Sequence, residues 1–140
     1  MSEPSTLLIE EIFYPTQEVR SLNNHSAQGE RAGTLLKFGR QVQKLENQPG
    51  KYALAVSVGS DDEKSRNPPY HFVIEVYAIV TIGGTPLEGE AAEKFILTNG
   101  LPLLMGAIRE RLADITARAP WGRFLINALP LQESVQLNIM

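Results

Sequence analysis

The chain has 140 residues, of which 43% are hydrophobic and 21% charged, and this ordinary globular composition excludes a disordered chain or a fibrous rod. The 13 Lys and Arg residues and the 16 Asp and Glu residues give a formal net charge of -3, so the chain lacks the basic excess that binds nucleic acid. Cysteine is absent, which excludes disulfides and cysteine-ligated metals. We therefore expect one domain over residues 1–140.

The N-terminal segment, MSEPSTLLIEEIFYP, has no basic region, and its apolar run covers only residues 7–9. This pattern does not predict a secretory signal. No run in the chain approaches the roughly 18 apolar residues that a membrane-spanning helix needs. We expect a cytoplasmic protein.

Two strands are predicted in the first third of the chain. Residues 6–14, TLLIEEIFY, mix apolar, aromatic and acidic side chains, and Pro15 then interrupts the pattern, as is typical of a strand near a sheet edge. Residues 22–33 are rich in Asn, Ser and Gly and predict a loop. In residues 34–45 the large apolar side chains alternate with polar residues or glycine, which favours a half-buried strand over a helix.

Two further strands follow in the middle of the chain. After the NQPG turn at 47–50, KYALAVSV alternates large residues with Ala and Ser and predicts a strand over 51–58. A polar loop at 59–69 leads to YHFVIEVYAIVTI, the longest predicted strand. One face of this strand is wholly apolar, whereas the other is mixed and carries His71, Glu75, Tyr77 and Ile79. We expect the apolar face to lie in the core.

The remaining part of the chain predicts helices. LEGEAAEKFILTN at 87–99 forms a first helix, and Gly100 and Pro102 separate it from a second helix over 102–118. The second helix carries an apolar stripe on one face, formed by Leu104, Ile108, Leu112 and Ile115. Strands followed by helices indicate an α+β fold, with a four-stranded antiparallel sheet and C-terminal helices packed on one face.

The chain offers few groups for catalysis or for metal binding. His25 and His71 have no partner at ligand spacing, so we expect no metal site. GGTPLEG at 83–89 lacks the lysine of a phosphate-binding loop, and no serine lies in a nucleophile motif. Glu75 is the one candidate for a general base, in a pocket between sheet and helix, but a carboxylate pointing to water from a mixed sheet face is the simpler interpretation. We expect no cofactor and no enzymatic activity.

The chain carries more apolar residues than one sheet face and two helices can cover. The surplus comprises Val73, Tyr77 and Ile79 on the second face of strand four and Trp121, Phe124, Leu125, Ile126, Leu129 and Leu131 after the helices. Either subunits associate, or a groove receives an extended apolar segment of another protein. For Trp121 and Phe124 alone, closing the end of the core is an equal alternative.

The ordered segments of the chain resemble the SecB family of bacterial cytosolic chaperones over about residues 7–131. The matching segments are IEEIFY, YALAVSV, FVIEVYAIVTIGG, LEGEAAEKF and AIRERLADITARAPWGRFLINALPL. The C-terminal third is the most specific part: Arg109 and Glu110 stand in the second helical segment, and an aromatic Pro/Gly turn leads to Leu129 and Pro130.

The resemblance implies an ATP-independent chaperone that assembles as a tetramer, a dimer of dimers, with the helices between two larger sheets. Such a chaperone holds unfolded secretory precursors in apolar grooves and passes them to SecA. On the matching positions, client contact is expected at Trp121, Phe124, Leu125, Ile126, Tyr77 and Ile79. SecA docking is expected at Glu75 and Glu18.

The sequence also departs from the family pattern. TQEVRSL offers only Glu18 among the first-strand acids, with Arg20 beside it, and the chain ends soon after Leu131 without the usual final helix and basic tail. A chaperone dedicated to another partner, such as an antitoxin, is therefore an open alternative. An adaptor for one folded partner and a small ligand-binding domain or enzyme that uses Glu75 also remain open.

Overall fold

The computed structural model describes residues 3–29 and 33–126, and within them four strands precede one helix. Their bounds are β1 (Thr6–Ser21), β2 (Leu36–Lys44), β3 (Lys51–Ser60), β4 (Tyr70–Gly83) and α1 (Gly89–Thr116). The strands form one antiparallel sheet in the order β1-β4-β3-β2, and α1 lies on one of its faces in contact with all four strands. The predicted α+β architecture is confirmed.

The core lies between α1 and the apolar faces of the two central strands. The register places Val56 opposite Val76 and Val58 opposite Ile74, and all four side chains are fully buried. On the other face of β3 the side chains are small, and Ala53, Ala55 and Ser57 are buried between the taller side chains of the neighbouring strands. The face with α1 is called the helix face below, and the opposite one the outer face.

Strand β1 continues past Pro15, so the prediction that this proline ends the strand is wrong. The pairing with β4 shifts register between Ile9 and Glu11 and again between Phe13 and Thr16, and Pro15 lies in the second shift. A proline is tolerated here because β1 is an edge strand and a bulge needs no ladder hydrogen bond from it. The strand therefore reaches Ser21.

A single helix spans the region where two were predicted. Pro102 lies inside α1 with its ring exposed, and helix packing outweighs the one backbone hydrogen bond that a proline removes. Gly100 is buried where the helix comes close to β3, and a Cβ atom there would lie 2.7 Å from Cδ2 of Leu54. Gly100 therefore allows α1 to approach β3 closely. The predicted break of the helix at Gly100 and Pro102 is wrong.

The buried stripe of α1 repeats every four residues, through Ala92, Ile96, Gly100, Leu104, Ile108, Leu112 and Thr116. Because an α-helix has about 3.6 residues per turn, this stripe winds around the helix by about 40° per step. The winding lets one helix stay in contact with all four strands. Leu104, Ile108 and Leu112 are buried as predicted, but Ile115 is 39% exposed and Thr116 is buried in its place.

Two glycines of α1 provide a matched test of this packing. We expect Gly100→Ala to lower the free energy of unfolding by about 1 kcal/mol, because the added methyl group overpacks the contact with Leu54. Gly106→Ala has no atom within 4 Å of the new Cβ, so it should raise the free energy of unfolding by about 0.5–1 kcal/mol through helix propensity. Urea unfolding measures both, and equal stabilisation by the two substitutions would contradict the close packing.

Candidate functional site

The residues predicted to contact clients lie on two separate surfaces. Trp121, Phe124, Leu125 and Ile126 follow the C-terminal end of α1, next to the start of β4. Tyr77 and Ile79 lie on the outer face of β4, where their partners in β3 are Ala55 and Ala53. The sheet separates the outer-face pair from the core that Ile126 joins.

Two buried hydroxyl groups hold the segment after α1. The hydroxyl of Tyr70 accepts a hydrogen bond from the backbone N–H of Trp121 (3.0 Å) and donates one to the carbonyl of Gly122 (2.8 Å). The hydroxyl of Thr116 accepts from the N–H of Phe124 (2.8 Å) and donates to the carbonyl of Leu112 (2.7 Å). Burial raises the pKa of Tyr70, which keeps its hydroxyl protonated and able to donate.

Trp121 lies against the loop between β1 and β2. Its Nε1–H donates to the carbonyl of Leu22 (3.0 Å), and its ring meets the ring of His25 edge-on with centroids 4.7 Å apart. His25 is fixed in turn by Asn67, whose carbonyl lies 2.9 Å from Nδ1. A small depression of about 160 Å³ lies between this loop, Tyr70 and the residues after α1. One side of the indole is thus held while 37% of the residue stays exposed.

The other three residues of this segment differ in exposure. Phe124 packs on Phe72 and Tyr70, with ring centroids 5.4 and 6.4 Å away, and Ile126 is buried in the core. Leu125 between them is 52% exposed. Only Trp121 and Leu125 of the four therefore present large apolar surface to solvent. Leu129 and Leu131 lie outside the described residues.

An apolar patch occupies the outer face where β1 and β4 pair. The rings of Phe13 and Tyr77 stack with centroids 4.8 Å apart, and the register adds Leu8 and Ile79 beside them. Leu8 is 48% exposed and Phe13 is 41% exposed. We call these four residues the outer patch. Leu8 and Phe13 were not among the predicted client residues, although TLLIEEIFY has too many apolar residues for one strand face, which was a signal for them.

The acidic residues predicted to dock SecA also lie on the outer face, beyond the outer patch. Glu75 lies opposite Thr16 of β1 and Ser57 of β3 in the sheet, and it borders an open depression of about 460 Å³. Its carboxylate is therefore not enclosed between sheet and helix, which is where the enzyme hypothesis requires a general base. Glu18 lies near it in β1, with its Oε1 3.3 Å from Nε2 of His71.

His71 lies between two carboxylates. Its Nδ1 is 2.6 Å from Oδ2 of Asp62, so the pair joins the loop after β3 to strand β4. Burial alone would raise the pKa of Asp62, but hydrogen bonds from Ser60 and His71 outweigh burial, and the pKa lies below its usual value. No group of three or more His, Asp or Glu side chains is placed to hold a metal ion within residues 3–29 and 33–126.

The arrangement of the elements defines an α+β chain with a SecB-like fold. It is similar to the Mycobacterium tuberculosis Rv1957 SecB-like chaperone, solved in complex with a ChAD peptide from the Rv1956 HigA1 antitoxin: the TM-score is 0.62 at 15% sequence identity, and the match covers 88% of this chain and 87% of that one. A protein of unknown function from Streptococcus agalactiae matches at a TM-score of 0.48 and 12% identity over 90% of this chain and all of its own length.

Neither a family model nor a curated protein matches the sequence. The likeness to Rv1957 is therefore one of fold. Among the described residues, no helix is both long enough and apolar enough to cross a membrane.

Removing the hydroxyl of Tyr70 tests how the segment after α1 is held. We expect Tyr70→Phe to lower the free energy of unfolding by about 1–3 kcal/mol, because the N–H of Trp121 and the carbonyl of Gly122 lose their partner. Trp121 is the only tryptophan, so its fluorescence reports the loosening directly. Tyr77→Phe is the matched control, since no hydrogen bond of its hydroxyl is found among the described residues. Equal effects of the two substitutions would contradict the assigned role.

The pair of Asp62 and His71 predicts a pH dependence. Because folding lowers the pKa of Asp62, its ionised form stabilises the fold above the ordinary carboxyl pKa of about 3.9, and this stability is lost as the pH falls through the folded-state value. The difference in unfolding free energy between wild type and Asp62→Asn should therefore be largest at neutral pH and shrink below about pH 4. Unfolding curves that remain parallel over this range would contradict the interaction.

Proposed function

We propose that this protein is a cytoplasmic, ATP-independent chaperone that holds unfolded polypeptides. The observation that carries the proposal is the exposure of large apolar side chains at two places on a folded subunit, the outer patch and the segment after α1. Exposed apolar surface costs solubility unless it serves an interaction, and unfolded chains offer matching apolar segments. The SecB-like fold supports the same function.

Client contact is assigned to the members of the predicted set that are exposed or half-buried. Trp121 and Leu125 form one contact surface, and Tyr77 and Ile79, together with Leu8 and Phe13, form the other. Phe124 and Ile126 support the first surface from below, because they pack on the core. Both surfaces present mainly apolar side chains, so binding should depend on the apolar content of a client more than on its exact sequence.

Assembly into a dimer of dimers is part of the proposal. Ile9 and Ile12 of β1 are 40% and 44% exposed beside α1, and Leu103 is 57% exposed on the helix itself. A second copy that packs on this side would bury all three, and the helices would then lie between sheets. Exposure on the helix side is thus assigned to subunit contact, and the outer patch remains available to clients.

Two specific binding partners are candidates for such a chaperone, an antitoxin segment and SecA. The SecB-like chaperone Rv1957 was solved with a peptide from an antitoxin, which favours an antitoxin segment as a specific client here as well. SecA is the other partner, with Glu75 and Glu18 as its docking residues on the outer face. The antitoxin candidate has the stronger support, because the peptide in the Rv1957 complex comes from an antitoxin.

Suppression of aggregation tests the chaperone function. We expect wild type, without nucleotide, to keep a denatured protein soluble, and the double substitution of Phe13 and Tyr77 by Ser to require at least about fivefold more chaperone. The control replaces Gln41 and Gln43 on the same outer face by Ser, which leaves the apolar surface intact. Thermal unfolding verifies that both variants fold. If wild type does not suppress aggregation, or both variants equal wild type, the proposed function or its assigned surface is wrong.

A further inference from the structure

Asn67 joins the loop after β3 to the loop after β1, at the end of the sheet where Trp121 lies. Its Oδ1 accepts a hydrogen bond from the N–H of Ser26 (2.7 Å), and its Nδ2 donates one to the carbonyl of Ser26 (2.9 Å). Its own carbonyl accepts a hydrogen bond from Nδ1 of His25 (2.9 Å), because a carbonyl oxygen has no proton to donate. One residue therefore binds two neighbouring residues of the other loop.

The backbone conformation and the packing of Asn67 suit this role. Its φ angle of 52° lies in the left-handed region, and among the described residues no other non-glycine residue has a positive φ. Asparagine adopts this region more readily than most residues, because its short polar side chain can bond to nearby backbone. Gly29 packs against the amide group, and a Cβ atom there would lie 2.6 Å from Nδ2 of Asn67. A side chain at position 29 therefore does not fit while the amide stays bound to Ser26.

The loop after β1 in turn supports the indole of Trp121. The N–H of Leu22 donates to the carbonyl of Pro69 (2.9 Å), so this loop begins beside the loop after β3. The carbonyl of Leu22 accepts from Nε1 of Trp121 (3.0 Å), and the ring of His25 lies edge-on to the indole. Both of these contacts reach the indole ring, whereas the hydroxyl of Tyr70 binds the backbone of Trp121. The orientation of the indole therefore depends on the position of this loop.

We propose that Asn67 is a positioning residue for client binding, which holds the loop after β1 and through it the indole of Trp121. Because Trp121 is 37% exposed, its ring gains freedom to move when the loop is released. A side chain that is fixed before binding loses less conformational entropy when a client binds, and the affinity is higher for that reason. Removing the amide of Asn67 should therefore lower the affinity although no group that touches the client is lost. This inference rests on the proposed chaperone function and on client contact at Trp121.

Matched asparagine substitutions test the role of the side chain. Asn67→Gly removes the amide and keeps a residue that accepts a positive φ, whereas Asn47→Gly makes the same exchange in the turn between β2 and β3, at the opposite end of the sheet. No hydrogen bond of the Asn47 side chain is found among the described residues. The probe is a reduced, carboxymethylated protein labelled with fluorescein, which stays unfolded, and fluorescence anisotropy gives its Kd. Asn67→Gly should raise this Kd about three- to tenfold, and Asn47→Gly should raise it less than about twofold. Equal Kd values for the two variants overturn the inference.

A double-mutant cycle separates this role from a general effect on folding. Trp121→Ala should itself weaken binding of the unfolded probe, and Asn67→Gly should then change the Kd by less than about twofold, because the indole that it positions is gone. The same loss of affinity with and without the indole overturns the inference. Time-resolved anisotropy of Trp121, the only tryptophan, gives a second readout in the free protein. Asn67→Gly should enlarge the fast component of the indole motion, and an unchanged fast component also overturns the inference.

Gly29→Ala keeps the test independent of how well Asn67→Gly folds. It leaves Asn67 in place, but the added methyl group comes too close to Nδ2 and displaces the amide from Ser26. The Kd of the unfolded probe should again rise about three- to tenfold, and a wild-type Kd overturns the inference. If Trp121→Ala binds the probe as tightly as wild type does, the inference is wrong although the chaperone function stands. If wild type binds no unfolded protein, the chaperone function itself fails, and the inference fails with it.

Discussion

The packing of one helix across one face of the sheet is the constraint on which the rest of the molecule depends. α1 contacts all four strands, and its four-residue repeat of buried side chains permits this because the contact line winds around the helix. Gly100 brings the helix close enough to cover Leu54 and the centre of β3. A single helix has no second layer to offer, so the outer face of the sheet remains uncovered by any described element. The same constraint leaves Leu103 of α1 directed away from the core.

Hydrogen bonds, instead of further helical packing, connect the segment after the C-terminal end of α1 to the sheet. Tyr70 begins β4 and binds the backbone on either side of the Trp121–Gly122 peptide, while Thr116 closes α1 and holds Phe124. These bonds place Phe124 on the core and leave Trp121 and Leu125 at the surface. A core element and an exposed apolar element therefore alternate within a few residues, which gives a rigid support to side chains that face solvent.

These features favour binding of extended chains over catalysis. The apolar surfaces lie at the rim and on the outer face, and Glu75 borders an open depression instead of an enclosed cavity. Exposed apolar surfaces of this kind support the proposed holding function.

The amino-acid sequence by itself determined the α+β class, the four strands, the apolar face of β4 and the stripe of Leu104, Ile108 and Leu112, because these follow from local periodicity. It also indicated that apolar residues exceed what one copy can bury. Tertiary structure alone decided how Pro15, Gly100 and Pro102 are accommodated, although local rules treat them as breaks. Pro15 lies in a register shift of an edge strand, Gly100 lets α1 approach Leu54, and helix packing outweighs the backbone hydrogen bond lost at Pro102. The tertiary structure alone decided that Leu125 is exposed whereas Ile126 is buried, and that Phe13 stacks on Tyr77. Exposure and cross-strand contact depend on the register of the strands and on what packs above each residue.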